Sequence, residues 1–490
     1  MFDHLRRLLR HSAAYTFASM LNRAFAILLV PIYTRCLSQD DYGRLSLLLG
    51  AAAIIWVLLD CGISASVTRF WYDYDDEHER RRLILTMWLT MMAVGVTVGV
   101  VLSLLGWKYG RAVFGVAFWP FVALTIWSTF FNAANVIPKA LMRVREQTRR
   151  FVIVVGGQSA AILAAVLVFV VWLDMGLLGA VLAAFVQTVV IFLFFTPYTL
   201  TNAALPALRG VAAKAMRFGL PILALELGWW VLDTSDRFIL AHYRTAEVVA
   251  LYAIGYALGR LLIMLSVSID QAWTPFFFAR AKEDDAEARR LAAYTATYFA
   301  LAVSAAGLLI CVFAREAVLL FGGHDYLAAA RVTPLIVVAS VVQGLFYVPS
   351  RGLLLEKKTH VLPYVVAAAA IVNVGLNFVL IPRWGMMGAA FATVAGYAVT
   401  TGLTYMFSQR VYRIAYQTRR LATIVALLVV VAAGATLVQP AQWYYAVAWK
   451  AALLAAPPLV LWVTRFFEPR EVAAVRRLLA RRGPRSEAVT

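Results

Sequence analysis

Long apolar runs and short, base-rich polar connections alternate along the whole chain. Fourteen runs of about 20 residues or more carry little charge. They lie near 11–34, 42–67, 84–107, 113–137, 151–173, 176–197, 217–241, 247–270, 291–314, 328–349, 360–382, 385–408, 421–439 and 443–464. A helix needs about 20 apolar residues to cross a ~30 Å hydrocarbon core. The runs are continuous and do not alternate with period two, which excludes a transmembrane β-barrel. The pattern predicts an all-α polytopic membrane protein with about 14 transmembrane helices.

The first six runs resemble the next six. Gly176-Leu177-Leu178-Gly179-Ala180 recurs as Gly385-Met386-Met387-Gly388-Ala389, an offset of 209, and Pro138 recurs as Pro349 at 211. Gln147-Thr148 recurs as Lys358-Thr359, and Phe70 as Phe277, at similar spacing. Six spans is an even number, so both copies enter the membrane in the same sense, and the repeats are parallel. This predicts two pseudo-symmetric six-helix lobes around a central cavity. The N-lobe covers 1–200, the C-lobe 210–410, and two extra helices 420–465. A basic amphipathic tail follows over 466–490, with Val472, Val475, Leu478 and Leu479 beside Arg476, Arg477, Arg481 and Arg482, suited to lie on an anionic leaflet.

Composition agrees: 62% of the 490 residues are hydrophobic and 14% charged, against about 45–50% and about 25% in soluble domains. A soluble enzyme is excluded. The net charge of +19 raises the question of nucleic acid, but most of the Lys and Arg fall in the connections on one side. That is the positive-inside signature. It places both termini in the cytoplasm and argues against a nucleic-acid partner.

Ionisable residues within spans are costly and usually face a cavity or a partner. Arg23 and Arg260 sit near the middle of the first and eighth spans, one from each half. Arginine suits bidentate phosphate binding, so the two predict a cationic cavity for an anionic substrate. On the seventh span Glu226, Trp230, Asp233 and Arg237 share one face. Asp233 precedes Arg237 by four, the favourable order for a helical ion pair. Alternatively the acids there, Asp233 and Asp236, with Asn373, Asn377 and Thr393 on the eleventh and twelfth spans, make a Na⁺ or H⁺ coupling site. Asp60 and Gln271, at the inner ends of the second and eighth spans, join the substrate set. Asp270 lies beside Gln271.

Nothing points to catalysis. No Walker A pattern is present, the six histidines form no metal set, and the three cysteines give no disulfide framework. Asp73-Tyr74-Asp75-Asp76 runs directly into Arg80, Arg81 and Arg82 and reads as a solvated acid–base loop. The short outer connections leave no room for the domain a membrane glycosyltransferase or polymerase needs.

Several runs then carry a family resemblance. These are Asp60-Cys61-Gly62-Ile63-Ser64 with Arg69, then Phe218-Gly219-Leu220-Pro221, then Asp236-Arg237-Phe238-Ile239-Leu240. Asn373 through Asn377, Leu380-Ile381-Pro382-Arg383-Trp384-Gly385 and Gly388-Ala389-Ala390 complete them. Over about residues 11–465 the chain resembles the polysaccharide transporter branch, which includes O-antigen flippases, of the multidrug/oligosaccharidyl-lipid/polysaccharide exporter superfamily. The resemblance implies alternating access and a bacterial inner-membrane location. It implies an undecaprenyl-diphosphate-linked oligosaccharide as cargo, flipped to the periplasmic leaflet for surface polysaccharide, in contact with membrane lipids and other polysaccharide assembly proteins. By helix and depth Arg23 and Arg260 match the cationic cavity of related lipid II flippases. Asp233 or Asp236, Asn373, Asn377 and Thr393 approximate their sodium site, although position 377 is Asn where an acid would be stronger. A cation-coupled multidrug antiporter and a lipid II flippase of the same superfamily are the rivals. The first would line its substrate cavity with acids.

Overall fold

The computed structural model describes residues 21–22, 24–206, 208–438, 442–469 and 471. Arg23 and the tail beyond 471 lie outside the described residues. Among the described residues thirteen helices are long and apolar enough to cross a membrane, preceded by the shorter apolar helix Ala24–Cys36 (α1). They are Gln39–Asp73 (α2), Glu77–Phe114 (α3), Phe118–Val144 (α4), Thr148–Trp172 (α5), Gly176–Thr201 (α6), Val211–Tyr243 (α7) and Ala246–Glu283 (α8). Asp285–Val312 (α9), Thr333–Leu355 (α10), Thr359–Trp384 (α11), Met386–Val411 (α12), Thr418–Leu437 (α13) and Trp443–Val463 (α14) complete the bundle. Each coincides with one of the apolar runs. No strand occurs among the described residues. Of the thirteen, α4, α7 and α12 are the least apolar.

The repeat is visible in backbone geometry. Gly176 and Gly385 open α6 and α12, each with φ +54°, a left-handed conformation that side chains disfavour. Three residues on, a Cβ at Gly179 would lie 2.5 Å from the Phe169 carbonyl oxygen, and one at Gly388 2.4 Å from that of Leu380. These are equivalent close approaches at equivalent places. The kinks repeat too. Within α4 the first helical segment ends at Ala134, and within α10 at Leu345. Pro138 and Pro349 stand four residues later. Each proline lacks the N–H that would bond that last carbonyl, and its ring crowds it. The structure is two six-helix lobes, α1–α6 and α7–α12, with α13 and α14 added beside the second.

Helix α2 joins the lobes. At the base-rich end it kinks at Cys61 and Gly62, with φ 42° and 71°. There a Cβ on Gly219 of α7 would fall 1.9 Å from the Cys61 carbonyl oxygen, and the Ser66 hydroxyl donates to the Ala215 carbonyl at 3.3 Å. At mid-depth Trp230 of α7 donates its indole N–H to the Gly50 carbonyl at 2.9 Å. At the opposite end a Cβ on Gly43 would meet the Ala246 carbonyl oxygen at 1.9 Å. The Thr34 hydroxyl there donates to the Phe321 carbonyl at 2.7 Å. The lobes therefore touch at both ends. The family-like runs around Gly62 and Gly219, far apart in sequence, are one contact.

Candidate functional site

Two polar regions stand out inside the bundle among the described residues. The first is a network in the second lobe. Arg260 of α8 pairs with Asp233 of α7, Nη2 to Oδ2 at 2.9 Å, and donates to Gln343 of α10 and, at 3.1 Å, to the Tyr397 hydroxyl of α12. Tyr397 in turn donates to Asp233. Four helices are tied through one guanidinium and one carboxylate. The i,i+4 pair between Asp233 and Arg237 anticipated along α7 is not formed. Asp233 turns to Arg260, whose planar fork reaches three acceptors at once. Arg237 instead lies over the Tyr256 ring, 4.9 Å from its centroid. The two residues assigned from sequence to different tasks, Arg260 to substrate and Asp233 to a cation, thus neutralise each other here.

One turn further along α7, Asp236 is fully buried. It accepts from the Tyr252 hydroxyl, from the Thr393 hydroxyl at 3.2 Å and from the Arg237 backbone N–H at 2.8 Å. On α11 the Asn377 side-chain amide donates to Oδ1 of Asn373 at 3.0 Å. Both asparagines are fully buried, and Asn377 Oδ1 has no hydrogen-bond partner among the described residues. Asn373 packs on Gly396 of α12, whose added Cβ would stand 3.1 Å from it. A carboxylate, a hydroxyl and an orphaned amide oxygen are donors a hard monovalent cation takes, and an unsatisfied buried oxygen is expensive to leave alone. Asp236 and Thr393 thus meet across α7 and α12, Asn373 and Asn377 pair with each other on α11, and Asp233 is engaged instead with Arg260 and Tyr397. No cluster of three His, Cys, Asp or Glu side chains suited to a metal ion occurs among the described residues.

The second region is a cavity of about 990 Å³ inside the first lobe, bounded by α1, α2, α4, α5 and α6, with Arg237, Ala253 and Ala257 of α7 and α8 on the side of the second lobe. Its polar wall comes mainly from α4. Thr125, Ser128, Thr129, Asn132, Lys139 and Arg143 all line it; the first four share a face of the segment that ends at Ala134, and Lys139 and Arg143, four apart, share a face of the segment after it. At 1.5 Å per residue the stripe runs about 27 Å from Thr125 to Arg143. Gln158 of α5 joins it, donating to Asn132 at 3.3 Å and accepting from Lys139 at 3.4 Å. Gln187 and Thr188 of α6 add an amide and a hydroxyl. The cations facing this space are Lys139, Arg143 and Arg237, and among the described residues its lining contains no Asp or Glu.

Sequence reading missed Lys139 and Arg143, counting them with the basic connection that follows α4. Their signal was the stripe: two bases four apart, continuing a row of hydroxyls and amides. Of the other anticipated substrate residues, Asp60 accepts the Ser64 backbone N–H at 3.2 Å and its hydroxyl at 2.9 Å beside the α2 kink. Gln271 is exposed and belongs to neither network. Asp270 pairs with Arg351 of α10. In the loop after α2, Asp73 pairs with Arg69 at 2.6 Å, and Asp76 accepts the Glu79 N–H at 3.0 Å to cap α3. Those acids serve local structure.

No curated protein matches the chain by sequence. Among solved structures, the lipid II flippase MurJ in an inward-closed conformation superposes with a TM-score of 0.70 at 10% identity, covering 94% of this chain and all of that one. An inward-facing multidrug resistance MATE transporter of the MOP superfamily gives 0.60 at 16%, covering 82% and 95%. A MOP-superfamily transporter from Pyrococcus furiosus, described as having a binding pocket of reversed polarity, gives 0.57 at 16%, covering 85% and 96%. At these identities the likeness is one of fold. The MatE family model matches residues 221–379, and the polysaccharide biosynthesis protein model matches residues 8–281, more than half the chain. The chain belongs to the polysaccharide biosynthesis protein family, a group of membrane transporters within the multidrug/oligosaccharidyl-lipid/polysaccharide exporter superfamily.

Proposed function

We propose that the protein flips a polyprenyl-diphosphate-linked oligosaccharide from the cytoplasmic to the periplasmic leaflet of a bacterial inner membrane, for surface polysaccharide assembly. The observation that carries this reading is the cavity: three cations, a ladder of neutral hydroxyls and amides, and no carboxylate among its described lining residues. Sugars are bound by such donors and acceptors, and a diphosphate by such cations. A cavity built for cationic drugs would present acids instead. Where the walls exclude water, attraction to an anion grows as the local dielectric falls.

The base-rich end faces the cytoplasm in this reading, and both termini lie there. Opening the Gly62–Gly219 contact admits the headgroup while the polyprenyl tail stays in lipid, and opening the Gly43–Ala246 contact releases it. Arg23, on the first span, is assigned to the same cationic set. Asp236, Asn373, Asn377 and Thr393 bind the coupling Na⁺ or H⁺, and movement of α7 against α11 and α12 links that site to the gates.

The test is a flipping assay in proteoliposomes with a fluorescent undecaprenyl-diphosphate oligosaccharide, lipid II and a cationic dye as competing cargoes. Transport of the oligosaccharide lipid ahead of lipid II is expected. Efflux of the dye with neither lipid moved would replace this reading with multidrug export.

A further inference from the structure

The two lobes carry the same charge motif at the base-rich end but use it differently. In the second lobe, Asp270 of α8 accepts from Thr274, four residues on, at 3.2 Å, and is closed by Arg351 of α10, whose Nε donates at 2.9 Å. The counterpart in the first lobe is Asp60 of α2, accepting from Ser64, again four residues on, with Arg143 of α4 within electrostatic reach. The offsets, 210 for the acids and 208 for the arginines, are those of the repeat. Here the pair is not made. Asp60 turns to Ser64, and Arg143 faces the cavity with no carboxylate bonded to it among the described residues.

Lys139 stands one turn away on the same face of α4. It too has no carboxylate bonded to it among the described residues and leans on the neutral Gln158. Two like charges at i and i+4 repel even in an exposed helix, and more strongly where water is partly excluded. Lys139 is half-buried and Arg143 is open toward the cavity mouth. A dication without a bonded counter-ion, at the end of a sugar-compatible stripe, is the form of a site completed by its ligand. The spacing of about 6 Å between neighbouring turns suits two linked phosphates, one per base, with Ser64 of α2 lining the facing wall.

We propose that Lys139 and Arg143 form the loading site for the diphosphate of the cargo at the base-rich end of the first lobe. This rests on the lipid-linked reading above, and the two can fail separately. Lys139 supplies a compact point charge at the inner turn and Arg143 a bidentate fork at the mouth. The glycan would extend from there along Asn132, Thr129 and Thr125.

The test uses the full-length protein in nanodiscs, with farnesyl diphosphate and inorganic pyrophosphate as probes and calorimetric titration as readout. Lys139→Gln and Arg143→Gln should each weaken farnesyl diphosphate binding roughly 10-fold, and the double variant roughly 100-fold. Lys139→Arg should keep most of it. Unfolding midpoints should not fall, because removing a repelling charge relieves strain, so lost binding cannot be put down to misfolding. Pyrophosphate binding as tightly as farnesyl diphosphate assigns the site to the phosphates alone; a clear preference for farnesyl diphosphate assigns it to a lipid-borne diphosphate. Unchanged binding in the double variant, with flipping of the oligosaccharide lipid intact, overturns the site and leaves the cargo reading standing. A wild-type protein that neither binds farnesyl diphosphate nor flips the lipid overturns both.

Discussion

Removing either partner of the Asp233–Arg260 pair strands the other inside the bundle. The contact is 2.9 Å, with side chains 32% and 21% exposed. At that separation and an effective dielectric of about 20, the Coulomb attraction is about 6 kcal/mol. Desolvation of both ions takes back several kcal/mol, and partial exposure lowers the remainder further, leaving a coupling of about 1–3 kcal/mol. Asp233→Ala is therefore expected to destabilise by about 2–4 kcal/mol, because Arg260 keeps only Gln343 and Tyr397. Arg260→Ala should cost a similar amount. The double variant should cost little more than either single one, since no unpaired ion is left. Equilibrium unfolding in mixed detergent micelles, run as a double-mutant cycle, measures the coupling directly. Additive losses, with coupling under about 0.5 kcal/mol, would refute the pairing argument. If Arg260→Ala instead left stability intact and abolished farnesyl diphosphate binding, Arg260 would be a free substrate cation, the role read from sequence.

Three further expectations concern gating, coupling and topology. Gly219→Ala places a Cβ 1.9 Å from the Cys61 carbonyl; it should hold the base-rich end apart and cut flipping at least ~10-fold, with a thiol probe reaching Cys61 faster than in the wild type. Unchanged labelling and transport would show that this contact is not the gate. Asp236→Asn should remove any Na⁺ or pH dependence of transport while leaving diphosphate binding within about 2-fold, and Asn377→Asp should raise apparent cation affinity; a variant at 236 that keeps full cation dependence would place coupling elsewhere. Arg209→Cys and Lys358→Cys, both in base-rich connections, should react with an impermeant maleimide only after the inner face of vesicles is exposed; reaction from the outside would invert the assigned orientation.

The spans were legible because lipid imposes a length and an apolarity on any crossing helix, and nothing else in the chain satisfies both. The repeat was legible at Pro138 and Pro349 and at Gly176 and Gly385, where backbone geometry admits few residue types. Asp236 and Thr393 were found together because their spans and depths fixed them. The partner of Asp233 was not legible. Arg237 and Arg260 were both available, and the choice was made by packing of α7 against α8, α10 and α12, which local spacing does not encode. Lys139 and Arg143 were hidden for a different reason. Bases at the inner end of a span are the ordinary topology signal, and only the cavity separates two of them from the rest. Arg23 and the basic tail lie outside the described residues, so their assignments stay with the sequence.

The three least apolar spans, α4, α7 and α12, are those that carry the cavity stripe, Asp233 with the buried Asp236, and Thr393 with Tyr397. Hydroxyls, amides and charges oppose partition of an isolated helix into lipid. During synthesis each must therefore enter the bilayer with help from its apolar neighbours: α5 and α6 beside α4, α8 beside α7, α11 beside α12. Biogenesis then proceeds by groups of helices, and a chain cut after α4 or α7 leaves its most polar span without the companions that keep it in the membrane.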